Sequence, residues 1–89
     1  MPRTTCQLYL ERTDPGRNMA RFYRLSLETD LFEEVCVVRS WGRIGKTGRT
    51  KIEAFADEIS ALRQLLKLAG SKRSRGYHTI NDAKQDFPR

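Results

Sequence analysis

The sequence predicts an α+β domain: a small antiparallel β-sheet of about four strands with one α-helix packed on one face. Three observations carry this. Two segments alternate apolar and polar residues with period two, a third is β-branched and aromatic at its apolar positions, and a fourth reads as a strand after it. Only short stretches rich in turn residues separate them. After Asp57 the apolar period lengthens to three and four. At 89 residues the chain has room for one domain and no deep interdomain cleft.

The first strand runs from Cys6 to Arg12, with Cys6, Leu8 and Leu10 on one side and Gln7, Tyr9 and Glu11 on the other. Thr13 to Asn18 holds Pro15-Gly16, a turn signal: proline fixes one torsion and glycine frees the next. A second strand, Arg21 to Glu28, places Tyr23, Leu25 and Leu27 together. Thr29 to Glu34 reads as a polar loop whose Leu31 and Phe32 fold back onto the core. The third strand, Val35 to Trp41, has Val35, Val37, Arg39 and Trp41 on one face and Cys36, Val38 and Ser40 on the other. Gly42, Gly45 and Gly48 mark a tight connection into a fourth strand, Arg49 to Phe55.

Asp57 is a helix start, because its carboxylate accepts bonds from otherwise unpartnered N–H groups. Ile59, Leu62, Leu65, Leu66 and Ala69 then form the expected apolar stripe, with Arg63, Lys67 and Lys72 beside or opposite it. Gly70 either ends the helix or is passed through at a cost of about 1 kcal/mol. Residues 1–80 are expected to form the domain and residues 81–89 a polar, loosely held tail.

Lys and Arg number 17 against 11 Asp and Glu, a net charge of +6. The charges are segregated. Arg39, Arg43, Lys46, Arg49 and Lys51 lie in one acid-free stretch, and Arg63, Lys67, Lys72, Arg73 and Arg75 in another. Glu28, Asp30, Glu33 and Glu34 crowd a third. Such segregation points to a polyanionic partner. No run of about 18 apolar residues spans a membrane. The N-terminus opens into alternation rather than a signal core, so an intracellular, cytoplasmic protein is expected, with Cys6 and Cys36 as buried free thiols.

Several chemistries are excluded. A phosphate-binding loop ending at Gly45-Lys46-Thr47 requires glycine at position 40, where Ser40 stands. His78 is the only histidine, so no structural zinc set can be assembled, and no metal or cofactor is expected. No nucleophile sits in a recognisable turn with a base at motif spacing, so no enzyme is expected. What remains is Ser40-Trp41-Gly42-Arg43-Ile44-Gly45-Lys46. An indole there can cap the core. It can also stack on a sugar or base, with neighbouring cations on the phosphates and glycines letting a partner backbone come close.

From Leu8 to Tyr77 the chain resembles the WGR domain family, named for the triplet that is here Trp41-Gly42-Arg43. The resemblance includes Asn18…Arg21-Phe22-Tyr23, Asp30-Leu31-Phe32, Val38 through Gly45, Gly48, Phe55, Ala61 and Lys72…Arg75-Gly76-Tyr77. It implies a helix running past Gly70 toward Arg73. Such domains occur in poly(ADP-ribose) polymerases that sense DNA breaks and as isolated bacterial proteins. The resemblance implies non-enzymatic, sequence-nonspecific DNA binding, with ends or nicks preferred. Trp41 would stack, Arg43 would contact phosphate or a partner, and Asn18 and Arg21 would help bind the backbone. Lys72 and Arg75 would extend the basic face, Tyr77 would add an aromatic edge, and Gly42, Lys46, Arg39 and Arg49 complete the expected nucleic-acid site. Glu33 and Val35 depart from the glycine and aromatic that bacterial relatives often carry. Two other readings stay open: a protein-interaction module using the WGR face, and single-stranded RNA binding.

Overall fold

A computed structural model describes residues 3–80 in backbone and 4–80 in side chains; the expected tail, residues 81–89, lies outside the described residues. Strand β1 (Arg3–Asp14) leads through a single 3-10 turn, Pro15–Arg17, to β2 (Met19–Thr29). Then come β3 (Val35–Arg43), β4 (Arg49–Phe55), the helix α1 (Glu58–Ser74) and a two-residue strand β5 (His78–Thr79). The sheet is antiparallel with order β4-β3-β2-β1-β5. The fold is α+β, as the periodicities predict. The fifth strand is the difference: His78 and Thr79 pair with Glu11 and Leu10. Two polar residues carry no period, so only β1's free edge could reveal them.

The helix covers the face that holds Leu10, Tyr23, Leu25, Leu27 and Val37, all buried. Asp57 caps it, its Oδ1 accepting the Ser60 N–H at 2.7 Å. That bond holds the Asp57 carboxyl below its ordinary value. The helix passes Gly70, where an added Cβ would meet open space. Gly76 then adopts φ +94, the left-handed exit that glycine tolerates, and Tyr77 N–H donates back to Lys72 O at 3.1 Å. That exit drops Tyr77 into the core.

Three expectations are corrected. The buried helix row is Ala61, Leu65 and Ala69, with Leu68 packed beside it. Ile59 and Leu66 instead stand 65% and 55% exposed. Two alanines let the helix axis settle close to the sheet, which a row of bulkier side chains would prevent. The same rotation brings Lys72, three residues beyond Ala69, over the sheet rather than opposite it. Leu31 and Phe32 do not fold onto the core; Phe32 is 83% exposed. Their turn closes on itself, Asp30 Oδ1 accepting from Phe32 N–H and Glu34 N–H, both at 2.9 Å, so they form its tip. Finally, both thiols are free, but only Cys36 is buried; Cys6 is half-buried.

Candidate nucleic-acid interface

Pairing register builds the site row by row on the helix-covered face. Arg12, Arg21 and Arg43 stand opposite one another across β1, β2 and β3. The next row is Leu10, Tyr23, Trp41 and Arg49, and the one after is Leu8, Leu25, Arg39 and Lys51. Like charges set directly across a sheet repel. Among the described residues the one side-chain ion pair joins Arg17 to Asp14 at 3.6 Å, so no acid forms an ion pair with the arginine row.

Trp41 is half-buried and packs against the core, with its ring 6.4 Å from Tyr23. The Arg39 guanidinium lies 5.8 Å from the indole centroid. Lys72 reaches down from the last helix turn, its Nζ 4.6 Å from the Tyr23 ring and 5.5 Å from the Tyr77 ring. Burial, then the charges of Arg75, Arg39 and Arg21, lower the Lys72 pKa. A cation pressed this way gains from any anion that enters. Two hollows flank the indole. One of about 200 Å³ is lined by Tyr23, Arg39, Trp41 and Lys72. Another of about 320 Å³ is lined by Arg21, Trp41, Gly42, Arg43, Lys72 and Tyr77.

The remaining expected residues divide. Asn18 lines neither hollow; it sits at φ 51, a left-handed position asparagine tolerates, and holds Arg43. Arg43 donates to Asn18 O and Oδ1, each at 3.2 Å. Arg75 acts on Lys72 by charge. Arg49 lies across from Trp41 and is exposed. Lys46 stands on the hairpin tip, its N–H donating to Arg43 O at 3.0 Å, and lines neither hollow. The glycines need a different explanation from the one their flanks suggest. A side chain at Gly42 would meet Gly48 Cα at 2.8 Å, and one at Gly48, φ +76, would drive into Trp41 O. These two make room for each other across the hairpin rather than for a partner.

Sequence reasoning missed Arg12 and undervalued Lys51. The signal was available: Arg12 continues the parity of Leu8 and Leu10, so a cation ends an apolar face. Far from the indole, burial and then Asp30, Glu34 and Glu28 push the Cys36 thiol up.

The WGR domain model matches residues 6–84, which encloses every one of these rows. The chain belongs to the WGR domain family. It is 49% identical over 71 residues to the uncharacterized protein y4dW of Sinorhizobium fredii (strain NBRC 101917 / NGR234), covering 80% of this chain and 35% of that one. It is 41% identical over 58 residues to a poly [ADP-ribose] polymerase of Sarcophaga peregrina, covering 63% of this chain and 6% of the polymerase. The chain thus spans about a third or less of the relatives it matches. In the described residues of this WGR domain no helix is long and apolar enough to cross a membrane.

Proposed function

We propose that this WGR domain is a non-enzymatic, sequence-nonspecific DNA-binding module that prefers strand ends or nicks. Family membership supports nucleic-acid binding at the coarser level. The observation that carries the finer reading is the acid-free enclosure around Trp41, where Lys72 is repelled by Arg21, Arg39 and Arg75. In this reading a terminal sugar rests on the exposed part of the indole, because only a terminus offers an unstacked face. Lys72, Arg21 and Arg39 take the adjoining phosphates, and Arg43, held by Asn18, takes the next. Arg12, Arg49 and Arg75 extend the positive field along the backbone.

Fluorescence anisotropy with blunt, nicked, circular and single-stranded probes tests this. Neutralising about five phosphates gives log K a slope of about −4 to −5 against log salt. Blunt and nicked DNA should bind more tightly than circles. Equal binding to circles removes the end preference, tighter binding to single-stranded RNA replaces DNA, and salt-independent binding ends the reading.

A second reading, a protein-interaction module, is favoured by the exposed Leu31 and Phe32 beside Asp30, Glu33 and Glu34. That surface suits a basic partner with an apolar pocket. Nuclease-resistant binding that Phe32→Ala abolishes would identify it.

A further inference from the structure

The two sides of the sheet end differently. On one side the border is β1, of which the two-residue β5 pairs only Leu10 and Glu11. On the other it is β4, seven residues whose members from Arg49 to Ile52 are all exposed. A bare strand of that length presents a row of backbone donors and acceptors that water alone would satisfy. Charged side chains on an edge normally guard against pairing, and Lys51 alone would do so here.

Glu53 changes that outcome. Fold β4 onto a second copy of itself, antiparallel, with the two-fold axis through Ile52. Each Lys51 then faces Glu53 of the second copy, and each Glu53 faces Lys51 of the second copy. Both pairs lie on the helix-covered face, because residues 51 and 53 share parity. Thr50 meets Ala54 of the second copy, and the two Ile52 side chains, each 65% exposed, meet at the axis on the opposite face. A one-residue slip would replace these attractions with an unpaired register that turns every side chain over. Two-residue slips keep parity but set like charges face to face, Lys51 on Lys51 or Glu53 on Glu53, so the register centred on Ile52 has the best charge match.

We propose that β4 is a self-pairing edge through which two copies of this chain join into one continuous ten-stranded sheet. The two-fold contact uses β4 of both copies, so pairing through β4 closes at the dimer. Because the axis is normal to the sheet, both Trp41 rings open on the same face. Opposed strand directions place them about 25 Å apart, from a rise of about 3.4 Å per residue and a strand spacing of about 4.8 Å.

Sedimentation velocity of the full chain without DNA, across a concentration series, tests the proposal. The mass should double with concentration. Lys51→Glu and Glu53→Lys should each weaken dimerisation about tenfold or more, since each turns two attractive cross-strand pairs repulsive. The double variant Lys51→Glu/Glu53→Lys should restore it. Unfolding midpoints keep this readable: all three variants should remain folded, the two single ones as monomers. Ile52→Cys supplies an independent readout. Paired Cα atoms at about 4.5–5.5 Å permit a disulfide across the axis on oxidation, mapped by peptide mass, whereas Thr47→Cys should give none. A single-chain mass throughout, a double variant that fails to recover association, or no crosslink at position 52 overturns the proposal. None of these outcomes touches DNA binding, so the two readings stand or fall separately.

Discussion

The two ends of β3 are made from one strand and behave as opposites. At one end Arg39, Trp41 and Arg43 face Lys72 and Arg21 with no acid among them. At the other, Cys36 lies under the field of Asp30, Glu34 and Glu28, which with burial keep its thiol protonated. Aromatic side chains differ in the same way. Trp41 is backed by Tyr23, which Tyr77 in turn meets edge-on, whereas Phe32 stands exposed on the connection between β2 and β3. Unbalanced charge is tolerated at both ends, but only the basic end couples it to hollows and a fixed ring. Stored repulsion plus a shaped recess is what a binding site needs, and repulsion alone is not.

Gly48→Ala should have the largest effect on that contrast. Its Cβ would meet the Trp41 carbonyl at a left-handed φ, so a loss of about 2–3 kcal/mol is expected in denaturant unfolding. The indole should lose its fixed environment in near-ultraviolet dichroism. Trp41→Ala should weaken binding to a DNA end by about 1–3 kcal/mol. Phe32→Ala at the opposite end should leave end binding unchanged. Equal losses from both would erase the distinction between the two ends.

Arg21→Gln separates repulsion from binding. Removing the middle cation of the Arg12, Arg21, Arg43 row should raise stability by about 0.2–1 kcal/mol. It should also reduce the magnitude of the salt slope by about 0.9. At the acidic end, Glu33 holds φ 62, so Glu33→Gly should stabilise by about 0.5–1 kcal/mol, read from the unfolding midpoint.

The smallest effect is in pH. Lys72 has a folded pKa below its ordinary 10.5, so its charge is disfavoured by folding. Stability should therefore rise as pH climbs through the folded value toward 10.5. DNA affinity should fall over the same interval, because the charge proposed to meet phosphate is lost. Lys72→Arg should abolish that pH dependence, since the guanidinium stays charged.

Much of this was legible in the residues. Alternation and β-branched composition gave the first three strands and their faces, the glycines pointed to the fourth, and Asp57 gave the helix start, because parity, turn chemistry and capping are local. The helix rotation was not legible. Bulk hydrophobicity favours Ile59, Leu62 and Leu66, while the sheet accepts the slimmer Ala61–Leu65–Ala69 row. Nor was the tip at Leu31 and Phe32, whose direction is set by two hydrogen bonds to Asp30.

By itself the sequence determined the α+β layering, the family motif and the separation of charge into blocks, since these follow from spacing along one chain. Tertiary structure decided which cations stand together. Arg12, Arg21 and Arg43 are far apart in the chain and become neighbours only through strand register. Lys72 reaches Tyr23 only because two alanines let the helix come close. Long-range pairing sets like charges side by side, which no local rule would favour.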